Sequence, residues 1–580
     1  MEPQPTPDAS RRNFLKQAGT ASLASMGAMA LVPALAAAAT GGAAAGAQMA
    51  RGRVFHDANR SGRADGQRGL PGVLVCNGVD IAVTDAQGRY ELPVTADCVI
   101  YVIKPRDYMT AVDDLMLPRY YHLHKPAGTP DADFIYKGVA PTGPLPDSVD
   151  FPLHHKPEPD NFAVLITADP QPYDLQHLLW YGEETTREFK ALDVACGIAL
   201  GDIAGNNLDL FDPYNRINAH CGFPWYNVLG NHDINFMAKD DTHADATFQR
   251  VYGPSTYAFQ RGPVHFIVLN NVYWEGYAGL RPDGWPLRTP YRGHLRPWQL
   301  QFIRNYLRHV PRRDRIVLCS HIPLINRPHY STGAAHTTPE FTELLEILSS
   351  HPYTMSFSGH THINTQYLVG EEHGYRAPGG TLHHYCNITA TCGCFYLGPP
   401  DVAGIPFAPG RDGVPRGYAV VSFNGGAHYR IRYKALGHAE DFQTRLSLPG
   451  MIRRAELATT PVHVNVFNGT TRTRARMRID AGPWLELRQT MAVDPAYVAL
   501  VERNRRHPEA GAGPLEEPLA TDHNWVGALP EDLAPGWHSV HLEVTSHDGE
   551  IFTDGRSFVV VDDPAELAPL DRSTHQRRNT

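Results

Sequence analysis

The feature that most constrains this chain is a pattern repeated five times between residues 162 and 362. An apolar run of strand length ends, and a small polar block follows at once. Residues 162–166 lead to Asp169, Pro170 and Gln171, and residues 194–200 lead to Gly201 and Asp202. Residues 225–229 lead to Gly230, Asn231, His232 and Asp233. Residues 316–318 lead to Ser320, His321, Ile322 and Pro323, and residues 354–358 lead to Gly359, His360, Thr361 and His362. Helical patterns lie between the runs. Trp298, Phe302, Ile303, Tyr306 and Leu307 share one face, as do Phe341, Leu344, Leu345 and Leu348. Continuous apolar strands alternating with amphipathic helices predict buried sheets covered by helices, an α/β layer architecture. In open α/β sheets the edge past the carboxyl ends of the strands is where ligands bind. Five blocks on that edge gather imidazoles and carboxylates, a cluster that makes electrostatic sense when cations hold it.

The flanks read differently. In residues 51–150, Val73, Val75, Val79, Ile81 and Val83 largely alternate, and residues 99–103 form a β-branched and aromatic run. Turns are expected at 69–72 and 85–88. The Pro-rich tracts 141–146 and 152–159 read as a semi-rigid linker. After about residue 436 the helical pattern stops. Val462, Val464 and Val466 alternate, and so do Leu542 and Val544 after a turn at 535–536. The expected fold is multidomain: a central α/β sandwich, two β-sheets flanked by helices, over residues 156–436. An N-terminal β-sandwich with its linker (48–155) and a C-terminal β-sandwich (437–565) flank it, and a polar tail (566–580) ends the chain.

Composition narrows the partners. A hydrophobic fraction of 42% and a charged fraction of 19% exclude wholesale disorder. A net charge of −9 gives no bulk attraction for phosphate backbones, so nucleic-acid binding is not expected. The 30 histidines say nothing until their spacing is read. Cys76 and Cys98 are candidates to pair within the first β domain. Cys386, Cys392 and Cys394 lack paired C-x-x-C spacing, so no zinc knuckle is expected.

Residues 10–16 spell S-R-R-N-F-L-K and precede a weakly apolar Ala/Gly-rich stretch. This resembles a twin-arginine export signal occupying residues 1–47, cleaved between about 36 and 47. The resemblance implies passage through the twin-arginine translocation machinery to the periplasm or beyond. No other apolar run reaches the roughly 18–20 residues that span a bilayer, so no membrane anchor is expected.

The blocks D-P-Q, G-D, G-N-H-D, S-H-I-P and G-H-T-H, in that order, resemble those of calcineurin-like metallophosphoesterases. The layout is similar to a bacterial group in which β domains flank the phosphoesterase. The resemblance implies a metal-dependent phosphoric ester hydrolase, a phosphatase or phosphodiesterase, in which two divalent ions activate a hydroxide for in-line attack on a phosphate-ester substrate. Asp202 would bridge the ions. Asp169, Gln171 and His362 would complete the first set, and Asn231, His321 and His360 the second. His232 would donate a proton on the substrate side, with Asp233 orienting it. Two dications, less the charge of Asp169, Asp202 and a hydroxide, leave positive charge for a phosphate and its transition state.

Gln171 stands where most of the family has His. A carboxamide is neutral but a weaker ligand, which tilts the site from zinc toward manganese or iron. Direct ligation and hydrogen bonding beside the site both remain open. His383 and His384 are further candidates for the substrate pocket, an exposed pair before a strand being the other reading. Asp57, Asn59, Ser61 and Asp65 follow the spacing of a calcium loop, with Gly62 at its sixth position, but Arg68 replaces the twelfth-position Glu. A weak calcium site and a plain turn stand side by side. The competing function is a non-catalytic surface or binding protein with a degenerate phosphoesterase core.

Overall fold

The computed structural model describes residues 48–277, 279, 291–325, 333–508, 511 and 513–562. The expected export signal at 1–47 and the expected tail at 566–580 lie outside the described residues.

Two mixed sheets form the centre. The first runs Trp225–Asn227, Gly197–Ala199, Asn161–Thr167, Gly417–Asn424, His428–Ala435. Its first three strands are parallel and its last two antiparallel. The second runs Tyr257–Arg261, Val264–Leu269, Arg315–Ser320, Thr354–Ser358, His383–Asn387, Thr365–Val369, with a parallel middle and antiparallel edges. The strand Asn161–Thr167 explains why its run is apolar throughout. Val164 and Ile166 join the core that also holds Val268, Leu318 and Phe357 of the second sheet. Leu165 points the other way, to Leu178, Tyr181 and Phe189 of helix Leu175–Lys190. A strand covered on both faces has no reason to alternate. Helices Pro297–Leu307 and Phe341–Leu348 cover the second sheet through Phe302, Ile303, Tyr306, Phe341, Leu344, Leu345 and Leu348. Trp298, assigned to that face from spacing, is 41% exposed instead.

The N-terminal strands form two sheets, as expected, but the proposed linker is part of them. Phe151–His155 lies parallel to Gln48–His56, with Val54 opposite Phe151. The chain then enters the centre through a buried ion pair. Glu158 is fully buried and meets Lys104 at 2.7 Å and Arg261 at 3.2 Å. A charge so placed needs partners, and here both adjoining domains supply them. The proposed Cys76–Cys98 bridge is absent; all eight cysteines are free. Cys76 lies opposite Tyr101, three residues along the strand from Cys98. Three residues are about 10 Å of strand, beyond the roughly 7 Å that a disulfide spans between Cα atoms.

The C-terminal region is a two-sheet sandwich with its own core of Val462, Val464, Trp525, Leu542 and Val544. It also holds a helix, Pro495–Arg506, that the sequence reading left out. Asp494 caps it by accepting from Tyr497 N at 2.8 Å. Tyr497 and Val501 pack on Cys394, Leu397 and Ala408 from the segment leaving the central domain. Among the described residues no helix is long and apolar enough to cross a membrane.

Candidate metal centre

All five polar blocks converge where the carboxyl ends of the two central sheets meet. Three come from the first sheet and two from the second. The turns that bring them there are strained. Twelve described non-glycine residues have positive φ, and eight lie in this region: Asp169, Gln171, Asp202, Asn206, His360, His362, Phe395 and Tyr396. Such conformations cost about 1–3 kcal/mol each and cluster at functional sites.

One set of donor atoms closes on a single point. His321 Nε2 lies 3.0 Å from Asn231 Oδ1, 3.3 Å from Asp202 Oδ1 and 3.2 Å from His360 Nδ1. Ligand atoms bound to one ion at about 2.0–2.2 Å stand about 2.8–3.6 Å apart, so these edges fit a coordination shell. Asp202, His321 and His360 together could hold a metal ion. The amide nitrogen of Asn231 is buried without a hydrogen-bond partner, while its oxygen faces the cluster. The remaining ring nitrogen of His321 is fixed by the Leu200 carbonyl at 2.8 Å, an orienting contact usual for metal-binding imidazoles.

The second set is looser. His362 Nε2 lies 3.6 Å from Asp169 Oδ1, and its Nδ1 contacts the Gly393 carbonyl at 2.7 Å. Gln171 Nε2 donates to Asp202 Oδ2 at 3.1 Å, while its Oε1 faces Cys392 Sγ at 4.0 Å. Gln171 thus sits in the cluster but offers Asp202 its nitrogen; ligation requires the amide to turn.

The protein groups alone are electrostatically frustrated. Burial opposes ionisation of Asp202, yet the imidazoles of His321 and His232 hold its carboxyl well below the usual range. Burial would lower His321, but Asp202 reverses this and pushes it to about 9. Asp169 is pushed up to about 8 by burial, with the charge of Asp202 adding to it. Burial lowers His362 to about 4 and His360 well below its ordinary value, so both are neutral and fit to ligate. Carboxylates buried together ionise readily only beside cations, and divalent ions fit this donor set.

His232 departs from expectation in its partner. Its Nδ1 meets Asn206 Oδ1 at 2.6 Å, and its Nε2 faces Asp202 Oδ2 at 3.9 Å. Asp233 does not orient it. The Asp233 carboxylate accepts from the backbone N–H groups of Gly230, Ile203 and Ala204 at 2.9, 3.1 and 2.9 Å. It ties two site loops together, and Asn206 takes the role assigned to it. His336 was also missed: its Nδ1 lies 3.0 Å from His360 Nε2.

His383 and His384 do not line a pocket. Both are buried in the second sheet. His383 contacts Thr354 and Ser356 hydroxyls at 2.9 and 2.8 Å, and His384 contacts Tyr429 and Gln366 at 2.7 and 2.8 Å. In the N-terminal loop, Asp57 accepts from the N–H groups of Ser61 and Gly62, and Asn59 accepts from Ser61 N and Gln67 Nε2. Asp57 and Asn59 thus already close the loop from within.

The C-terminal domain reaches the site. Asp412 Oδ2 accepts from Asn364 N at 2.7 Å, two residues after His362, and faces His523 Nε2 at 3.2 Å. His523 Nδ1 in turn meets Asn465 Oδ1 at 2.9 Å.

Comparison with known families decides the identity. The family described as "N terminal of Calcineurin-like phosphoesterase" matches residues 58–139, and "C terminal of Calcineurin-like phosphoesterase" matches residues 385–552. The chain carries the N-terminal and C-terminal regions of a calcineurin-like phosphoesterase. The two matches flank the segment carrying the polar blocks. No curated protein matches this phosphoesterase. Among solved structures it is similar to a dimetal phosphatase from Danio rerio, at 14% identity over 47% of this chain and 96% of that one, with a TM-score of 0.33. It is also similar to the purple acid phosphatase PPD1 from Lupinus luteus seeds, at 11% identity over 63% of this chain and 71% of that one, with a TM-score of 0.34.

Proposed function

We propose that this phosphoesterase is exported by the twin-arginine route and hydrolyses phosphoric esters with two divalent ions, manganese or iron in preference to zinc. The observation that carries the reading is the convergence of Asp202, Asn231, His321 and His360 on one point with coordination-shell spacings. A second ion would be held by Asp169, Asp202 and His362, with Gln171 joining after rotation of its amide. Such ions supply Lewis acidity and lower the pKa of water toward neutrality.

The chain's own residues do the rest. His232, held through Nδ1 by Asn206, presents Nε2 to the site. As the ester P–O bond breaks, the departing oxygen takes the proton from Nε2, and the ring is left neutral with its Nδ1–H still donating to Asn206 Oδ1. Asp233 keeps the loops of Asp202 and Asn231 in register so that the donors stay aimed at one point. The segment 391–397 covers the first set from above, with Thr391 N bonded to the Ala168 carbonyl at 2.7 Å.

The test is hydrolysis of p-nitrophenyl phosphate and bis-p-nitrophenyl phosphate by metal-loaded protein. Asp202→Asn and His321→Ala are expected to lose nearly all turnover. Full activity in either variant rules out this site. Failure of the wild type on both substrates with manganese, iron and zinc moves the reading to a binding protein with a degenerate core, for which the orientation of Gln171 is the favouring observation.

A further inference from the structure

We propose that the ester taken by this site carries an aromatic ring in its organic group, and that Tyr173 and Phe395 form the wall on which the ring stacks. The inference rests on the phosphoester reading above. The Tyr173 ring lies 6.2 Å from the His232 imidazole and 6.5 Å from Phe395, and Phe395 lies 4.5 Å from His362. The two aromatics therefore run from the proton-donating histidine to the ligand histidine of the first metal set. Both are partly exposed.

Neither ring sits there by default. Tyr173 lies flush on Gly205, where a Cβ would come within 2.8 Å of its ring. Phe395 has a φ of 56°, and its neighbour Tyr396 a φ of 52°. A bulky aromatic in the left-handed region is an outlier that needs a reason. For Tyr396 the reason is burial: it is 1% exposed and packs on His177 and Trp180. Phe395 is only partly buried, against the cluster of Cys394, Leu397 and Tyr497. What its conformation achieves is to lay a ring against His362.

The wall is not a slot. Its rings are 6.5 Å apart and tilted by 57°. Inserting a ring between two others needs about 7 Å of parallel spacing at van der Waals contact of 3.5 Å on each side. The substrate ring would instead lie along the outer face of the pair. Leu175 and Leu179, exposed at 64% and 65%, lie on the helix that follows Tyr173. A base or aryl group stacked on such a surface gains about 10–100-fold in affinity.

The experiment compares esters that are identical around phosphorus. Adenosine 5′-monophosphate and ribose 5-phosphate both leave through a primary 5′ sugar oxygen and differ by an aromatic base. Their methyl esters form the matching diester pair. With metal-loaded full-length protein, the adenosine member of the pair that is turned over is expected to have a KM lower by about 10–100-fold. Tyr173→Ala should bring the two KM values close together, and Tyr173→Phe should keep them apart. Phe395→Asn, a residue that accepts positive φ, should also reduce the ratio. Equal KM values within a pair that is turned over, or a preference that survives Tyr173→Ala and Phe395→Asn combined, overturn the inference while leaving the phosphoester reading intact. Turnover of none of the four esters overturns the inference, and the phosphoester reading falls with it only when p-nitrophenyl phosphate and its diester are not hydrolysed either.

Discussion

Asp233 is the residue whose role the structure changes most, and its removal has a calculable effect. Its carboxylate serves three buried backbone donors. A buried donor left unpaired costs about 1–3 kcal/mol, so Asp233→Ala should destabilise the site loops by about 3–9 kcal/mol before relaxation, and by about 3–5 once a water enters the space. Asp233→Asn keeps one acceptor oxygen and should cost about 1–3 kcal/mol. The deficit also depends on pH. Burial, with the charge of Asp202 adding to it, pushes Asp233 up to about 7. A carboxyl raised in the folded state gives its full stabilisation below its unfolded value and loses it as pH rises through the folded one. In metal-stripped protein the cost of Asp233→Asn should therefore shrink as pH rises from about 4 to about 7 and level off above that. The assays are denaturant unfolding, metal content and turnover, each repeated in a His232→Ala background. A loop tie predicts weaker metal retention, a lower unfolding midpoint and a rate loss that persists when His232 is absent. A rate loss with unchanged midpoint and metal content, vanishing in the His232→Ala background, would show that Asp233 orients His232 after all.

Other consequences follow from the same geometry. His232→Ala should cost about 10²–10⁴ in turnover, with metal content kept, and more on phenyl phosphate than on p-nitrophenyl phosphate because the poorer leaving group needs the proton more. Asn206→Ala should reproduce part of that loss and add little to it; equal losses on both esters would refute donation to the leaving oxygen. In metal-stripped protein, stability should fall between pH 6.5 and 9. His321 is raised to about 9, mainly by Asp202 against the pull of burial, so its contribution is complete below 6.5 and gone above 9. The shift corresponds to about 3 kcal/mol, and a pH-independent unfolding midpoint over that window contradicts the pairing. His523→Ala should loosen the loop bearing His362 and weaken metal binding by about tenfold, read by competition with a chelator; unchanged metal affinity means the tie only stabilises the fold.

Much of the site was legible because strand ends leave a mark. Residues 162–166 and 316–318 are apolar throughout because both faces of those strands are covered, and the polar residues must then come at the turn. The helix faces of 297–307 and 341–348 were legible for the same reason. What stayed hidden depended on contacts distant in sequence. Phe151–His155 reads as a Pro-rich linker because its pairing with Gln48–His56 is nearly a hundred residues away. Helix Pro495–Arg506 buries only Tyr497, Val501 and Asn504, so its mostly polar sequence gives little periodicity, although the Asp494–Pro495 start was a usable signal. Asn206, His336 and Phe395 belong to no motif; turns with positive φ deliver Asn206 and Phe395, and the short helical turn Ala334–His336 delivers His336. His383 and His384 misled because adjacent histidines carry no information about burial, and theirs is complete.

The central claim is that the convergent donors hold two ions that turnover requires. Chelator-stripped protein, held above the dissociation constant and titrated with manganese, gives the most direct test. Hydrolysis of p-nitrophenyl phosphate or its diester should start near zero and rise to a plateau at two equivalents per chain, and no such rise should occur with His321→Ala. Full activity in the presence of chelator, or a plateau at a single equivalent, contradicts the account.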